Sequence, residues 1–433
     1  MDRRKLLNIF PAINTLGYYD SMSQIINLNS ITREQFSKAK SGAHIDEQSA
    51  KVLGLYAHEI THWLDHISTL WGQKRLVLLF NALNAYATSS IDEFWRVKLY
   101  CDTCITDDRL KYYQQIYHNA SEKSYDRWQV KISVGSTFDV YGKVNHNAPI
   151  VIARFNYSNG TEIARSPLTI ASILESKAIA REFYVRTQAT KEIQDIVNRE
   201  SAKRAIQEDS LKVMHNPQMV LYNVAFNTIA WRSNLIELDK IFNYAELLGN
   251  IVLNFPEASY AKAIRYSVKN TEIDQIYAKL FSNRDLGFLF LSLIENGKTL
   301  MGGDKVDLER ILLASGIDNI DEMVNFINQE MEQLQSKLID GPFKQFGYEM
   351  LERGTEVFNL KGIGGNLEKA LERLNSIIIP RVMFGDSYFD TDSFDATSLL
   401  DALDQGDNLS FEEYFHLIDV LKDKFEEFVS ACS

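Results

Sequence analysis

LGLYAHEITHWLDHI, residues 53 to 67, is the stretch from which the N-terminal half is read. Leu53, Ala57, Ile60, Leu64 and Ile67 recur at spacings of four, three, four and three, the stripe of a buried helix. No proline falls between Glu47 and Thr88, and Gly54 and Gly72 are the only glycines there, so one long helix is predicted over that run. Within it stands His58-Glu59-Ile60-Thr61-His62, the pattern HExxH. Residues four apart lie above one another on a helix, so the two imidazoles converge on a single tetrahedral metal. Glu59 is then offset towards the position where water would complete the coordination, as a general base requires.

A catalytic zinc takes three protein ligands plus water, so HExxH calls for one more. The extended pattern with a third histidine ten positions after the first is excluded, because Asp65 and Ser68 occupy its glycine and histidine positions. His66 follows His62 by four, but on a straight helix it stands about 12 Å along the axis from His58. It reads as a supporting or surface residue. The remaining source is a glutamate on a downstream helix. Glu175 is preferred, since Ala178 and Ala180 beside it would let its helix come close, and Glu93 in Ser90-Ile91-Asp92-Glu93 is the rival nearer in sequence.

With His58, Glu59, His62 and Glu175 the chain resembles the gluzincins, the thermolysin-like class of zinc metallopeptidases, whose third ligand is a glutamate on a second helix. The resemblance covers these motif residues and none of the later helical half. It implies one Zn2+ per chain held by His58, His62 and Glu175, with Glu59 taking the proton of a metal-activated water and returning it to the leaving amine. It also implies a protein or peptide substrate lying as an added strand on a sheet edge, for which the hairpin at Asn159-Gly160 is a candidate. Glu175 follows His62 by more than a hundred residues, which is longer than in compact members, and an inserted helix and the hairpin would fill that interval.

At 433 residues the chain exceeds the size at which single cores stop growing. The fold expected is mainly α (α+β): a zincin-like N-terminal domain with a small β-sheet over residues 1–210, then an all-helical domain over 211–433 that selects or regulates substrate. Strands are expected at Gln24 to Leu28, Trp128 to Val134, Pro149 to Tyr157 and Thr161 to Arg165, a second helical stretch at Ile91 to Cys104, and a helix opened by Ser166-Pro167 running to about Arg199. Beyond Ser210 amphipathic segments alternate with glycine turns, ending in a helix whose start, Ser410 to Glu413, has capping-box spacing.

Hydrophobic content of 45% with 11% aromatics suffices for packed cores. A net charge of −12 argues against a nucleic-acid binder. The N-terminal segment is read as mature protein, no transmembrane segment is evident, and three cysteines are too few for a disulfide framework, so a cytoplasmic location is expected. Cys101 and Cys104 read as helix packing positions, and Asp390 to Asp395 as a solvated acidic loop. Against the peptidase stands a non-catalytic helical interaction protein that keeps a zincin-like fold for binding.

Overall fold

The computed structural model describes residues 16–42, 45–89, 91–117, 127–139, 142–302, 307–365, 380–387 and 394–431. The N-terminal segment up to residue 15 and the acidic residues Asp390 and Asp392 lie outside them.

The run from Glu47 to Thr88 forms two helices, not the single one expected: α2 (Glu47–Ser68) and α3 (Leu70–Ala87), following a short α1 (Arg33–Ser41). Asp46 caps α2 by accepting the Ser49 amide, and the apolar stripe then carries it for 22 residues. Thr69 interrupts it. Its backbone is extended, and its hydroxyl donates back to the Asp65 carbonyl while accepting the amide of Gly72. It therefore ends one helix and caps the next. Gly72 is required at this corner, since a Cβ there would run into the carbonyl oxygens of Asp65 and His66. Asn254 seals the break from outside by accepting the Leu70 amide.

Ile91–Glu93 is a single 3-10 turn before α4 (Trp95–Arg109), in place of one helix from Ile91. Four antiparallel strands follow in the order β3 (Gln115–Ile116), β6 (Glu162–Pro167), β5 (Val144–Asn156), β4 (Gln129–Phe138). The β5–β6 hairpin turns at Gly160, whose φ of 85° is the left-handed conformation that glycine adopts without strain. Both hairpin strands are interior, so the hairpin is not the free edge that the sequence suggested.

Ser166 and Pro167 end β6 instead of opening a helix: Ser166 pairs with Ala153, and the Leu168 amide continues the ladder to Val151. The helix start is three residues later, where Thr169 and Ser172 form the capping box of α5 (Ile170–Lys191). Ladder pairing overrode the Ser-Pro cap signal. α5 stops at Lys191, short of the expected Arg199, and α6 (Ile196–Met214) begins anew with Asp195 as its cap.

α5 packs along α2 and also against α7 (Val220–Arg232) and α8 (Leu238–Leu253). A helix covered on several sides needs no single apolar stripe, and α5 shows buried residues all round its first three turns, Ala178 and Ala180 among them. The remaining helices among the described residues are α9 (Thr271–Ser282), α10 (Leu286–Gly297), α11 (Leu308–Ala314), α12 (Ile320–Gln335), α13 (Lys344–Lys361), α14 (Ala396–Asp404) and α15 (Phe411–Ala431). The Ser410 to Glu413 box opens α15 as expected.

The second half is not wholly helical, because β7 (Val382–Phe384) runs parallel to β2 (Ile25–Leu28), which pairs in turn with β1 (Tyr18–Asp20). A three-residue strand carries too few side chains to show a period. The expected division after residue 210 falls inside α6. Buried side chains from Tyr19 to Phe425 pack as one cluster, with α13 laid against α2 and α3. The protein is mainly helical, with two small sheets among the described residues, and none of its described helices is long and apolar enough to cross a membrane.

Candidate metal site

Two helices bring the donors together. His58 and His62, one turn apart on α2, face Glu175 on the second turn of α5. Nε2 of His62 lies 3.3 Å from Oε1 of Glu175, and Nε2 of His58 lies 3.5 Å from Oε2. These contacts are too long and poorly aligned for ordinary hydrogen bonds, and among the described residues neither buried Glu175 oxygen has a hydrogen-bond donor. Ligands about 2.0–2.1 Å from a tetrahedral metal stand roughly 3.3 Å apart, which matches the observed separations. His58, His62 and Glu175 can hold a metal ion, with donor atoms all within 4.8 Å of one another.

Glu175 and His62 are buried, whereas His58 is partly exposed to a cavity of about 470 Å³. Glu59 lines the same cavity from α2 and is itself buried. Gly17, just before β1, lies beside it: a Cβ there would stand at ordinary contact distance, 3.4 Å, from Oε1 of Glu59 and tighter, 3.0 Å, against the Asn27 carbonyl oxygen. The far wall comes from Ile179 and Phe183 of α5, Val213 of α6, and Met219 and Tyr222 at the start of α7.

Behind His58 runs a chain of charges that the sequence did not reveal. Nδ1 of His58 is 3.4 Å from Oε2 of Glu182, whose other oxygen is 3.5 Å from Arg186, which in turn binds Asp209 of α6 at 2.9 Å. Glu182 is seven residues after Glu175, hence on the same face of α5, and that spacing was the available signal. Beyond His62, Asp65 of α2 forms a buried ion pair with Lys177 of α5, two residues past Glu175. Oppositely charged groups on α2 and α5 thus set the helix pair on both sides of the ligands.

The electrostatics favour a cation here. Burial works against an imidazolium at His58, but Glu175 and Glu182 outweigh it and hold its pKa well above the ordinary histidine value. Burial would likewise raise the carboxyls of Glu175 and Glu182. The neighbouring histidines hold Glu175 low, and His58 and Arg186 do so for Glu182. Glu59 goes the other way: burial raises its pKa, against the pull of His58 and His62. A carboxylate shifted upward is a better proton acceptor near neutral pH.

Two sequence candidates lie elsewhere. Glu93 ends its 3-10 turn beside Arg96, with which it pairs, and is no part of the cluster. His66 is neither a ligand nor a surface residue. It is buried under β1, with Nδ1 2.9 Å from the Tyr19 hydroxyl and 3.3 Å from Nε2 of Gln24. Cys101 and Cys104 are buried on α4, as packing positions.

Burial, with a smaller push from Arg75, lowers the His66 pKa from 6.5 to about 3. Between those values the unfolded chain binds a proton that the folded chain refuses, so stability falls as pH drops through that window, by at most about 1.4 kcal/mol per pH unit. Urea unfolding of wild type and His66→Gln at pH 7, 5 and 4 should show the wild type losing stability faster. Parallel losses would remove His66 from the account.

Compared with protein-family models, with curated proteins and with solved structures, the chain gives no match.

Proposed function

We propose that this protein is a zinc-dependent metallopeptidase of the gluzincin type, with a zincin-like site in its N-terminal half and a peptide or protein substrate. The observation that carries the reading is the set His58, His62 and Glu175 at tetrahedral spacing, with buried Glu59 on the cavity they border. Two imidazoles and a carboxylate without sulfur are a donor set suited to one catalytic zinc per chain. Zinc held there supplies a Lewis acid, under which water becomes acidic near pH 7 and a carbonyl is polarised.

The remaining work falls to the chain. Glu59 takes the proton of the attacking water and returns it to the leaving amine nitrogen. Glu182, with Oε2 3.4 Å from Nδ1 of His58, places its negative charge behind the ring and favours the orientation in which Nε2 points at the ligand position. Leu55, Ile179, Phe183, Val213 and Met219 give the cavity an apolar wall that receives an aliphatic or aromatic side chain beside the scissile bond.

The test is hydrolysis of a fluorogenic peptide library by zinc-loaded protein. Cleavage should favour apolar residues next to the scissile bond, stop with a zinc chelator and return with one equivalent of zinc. Hydrolysis at full rate after zinc has been removed would refute the proposal. Binding of a partner without cleavage would instead support an interaction protein.

A further inference from the structure

Gly54 stands inside α2, one turn before His58, at a helix-interior position where glycine is disfavoured relative to alanine. The reason for it lies on α5. A Cβ at Gly54 would be 2.5 Å and 2.8 Å from Cγ and Cδ of Arg186 and 3.2 Å from Cγ of Glu182. These atoms are the middles of two stems and not their free ends, so neither side chain could give way without withdrawing its charged group. The glycine lets Arg186 and Glu182 lie directly against the backbone of α2.

Arg186 follows Glu182 by four and Glu175 by eleven, so all three project from one face of α5. Its stem is buried on Gly54, and its Nη2 donates to Oδ2 of Asp209 on α6 at 2.9 Å. Nη1 then stands 3.5 Å from Oε1 of Glu182, while Oε2 of the same carboxylate faces Nδ1 of His58 at 3.4 Å. Glu182 needs such a hold, because its side chain is 29% exposed on the cavity, where water competes for it and an ion pair by itself contributes little. Arg186, whose side chain is only 10% exposed, is the fixed member against which the carboxylate is oriented.

We infer that Arg186 is a positioning residue of the metal site: docked on Gly54 and held by Asp209, it aims the Glu182 carboxylate at Nδ1 of His58 and so steadies the ring whose Nε2 faces the metal position. It acts through Glu182 and touches no ligand itself. The inference rests on the reading of His58, His62 and Glu175 as a metal site, and not on peptide hydrolysis.

Two effects of Arg186 on zinc oppose each other, since its charge repels the cation while its hold on Glu182 favours binding. The affinity of an Arg186 variant alone therefore decides nothing. What decides is the factor by which Glu182→Gln weakens zinc in the presence and absence of Arg186. If Arg186 acted only as a charge that neutralises part of Glu182, its removal would make the loss of Glu182 costlier. A positioning role makes that loss cheaper, because a carboxylate no longer aimed at His58 has little left to lose.

The experiment is competition with a fluorescent chelator on the full chain, measuring the Glu182→Gln factor in four backgrounds. It is expected to be about tenfold to a hundredfold in wild type and below about threefold in Arg186→Met. It should also be below about threefold in Gly54→Ala, which displaces the Arg186 stem without changing any charge. Arg186→Lys, which keeps the charge, should restore the factor to at least about fivefold. Loosened helix packing as such would weaken zinc in each background and leave the factor unchanged. A factor in Arg186→Met equal to that of wild type or larger would overturn the inference with the metal site intact, and Gly54→Ala carries the same test if Arg186→Met does not fold. Wild-type protein that binds no zinc would overturn the metal site and this inference together.

Discussion

Replacing His62 by Ala, or Glu175 by Gln, is expected to weaken zinc binding by about a hundredfold to a thousandfold. A structural four-ligand zinc site is worth about 10–16 kcal/mol in apparent binding free energy, so one ligand accounts for roughly a quarter of it. Glu175→Gln is the sharper of the two. It preserves the shape of a side chain buried between α2 and α5 and removes only the charge. Glu182→Gln, which leaves all three ligands in place and removes the anion behind His58, should cost less, about tenfold to a hundredfold. Competition with a fluorescent chelator ranks the variants. A Glu182 variant as damaged as the Glu175 variant would mean that the ligand set is wrong.

The second large effect concerns Glu59. Glu59→Gln should reduce kcat for peptide cleavage by about a hundredfold to ten-thousandfold, the usual contribution of a general base, while zinc affinity stays within a few fold of wild type. The separation follows from the geometry: Glu59 lines the cavity but does not belong to the cluster of three donors. A Glu59→Gln protein with undiminished kcat would dismiss Glu59 as the base.

Much of this was legible from the chain because it rests on local periodicity. The α2 stripe and the HExxH spacing are properties of one helix, and a helix displays them in its own sequence. What was not legible depended on packing between elements. Glu175 and Glu93 both read as glutamates in helical surroundings, and only the docking of α5 on α2 brings one of them to the histidines while the other pairs with Arg96. Ser166-Pro167 has the letters of a helix start, but its residues were claimed by pairing with β5, and the cap moved to Thr169. The break at Thr69 was hidden for the opposite reason, since a single threonine within an apolar run gives no warning that its hydroxyl will cap a new helix. The sequence signal for Glu182 is its spacing of seven from Glu175, which puts both carboxylates on one face of α5.

The central claim is that His58, His62 and Glu175 hold zinc, and elemental analysis of protein purified without added metal tests it most directly. The account predicts one zinc per chain in wild type and a small fraction of that in His58→Ala. Wild-type protein that carries no zinc, even after equilibration with excess metal and removal of the surplus, would contradict it.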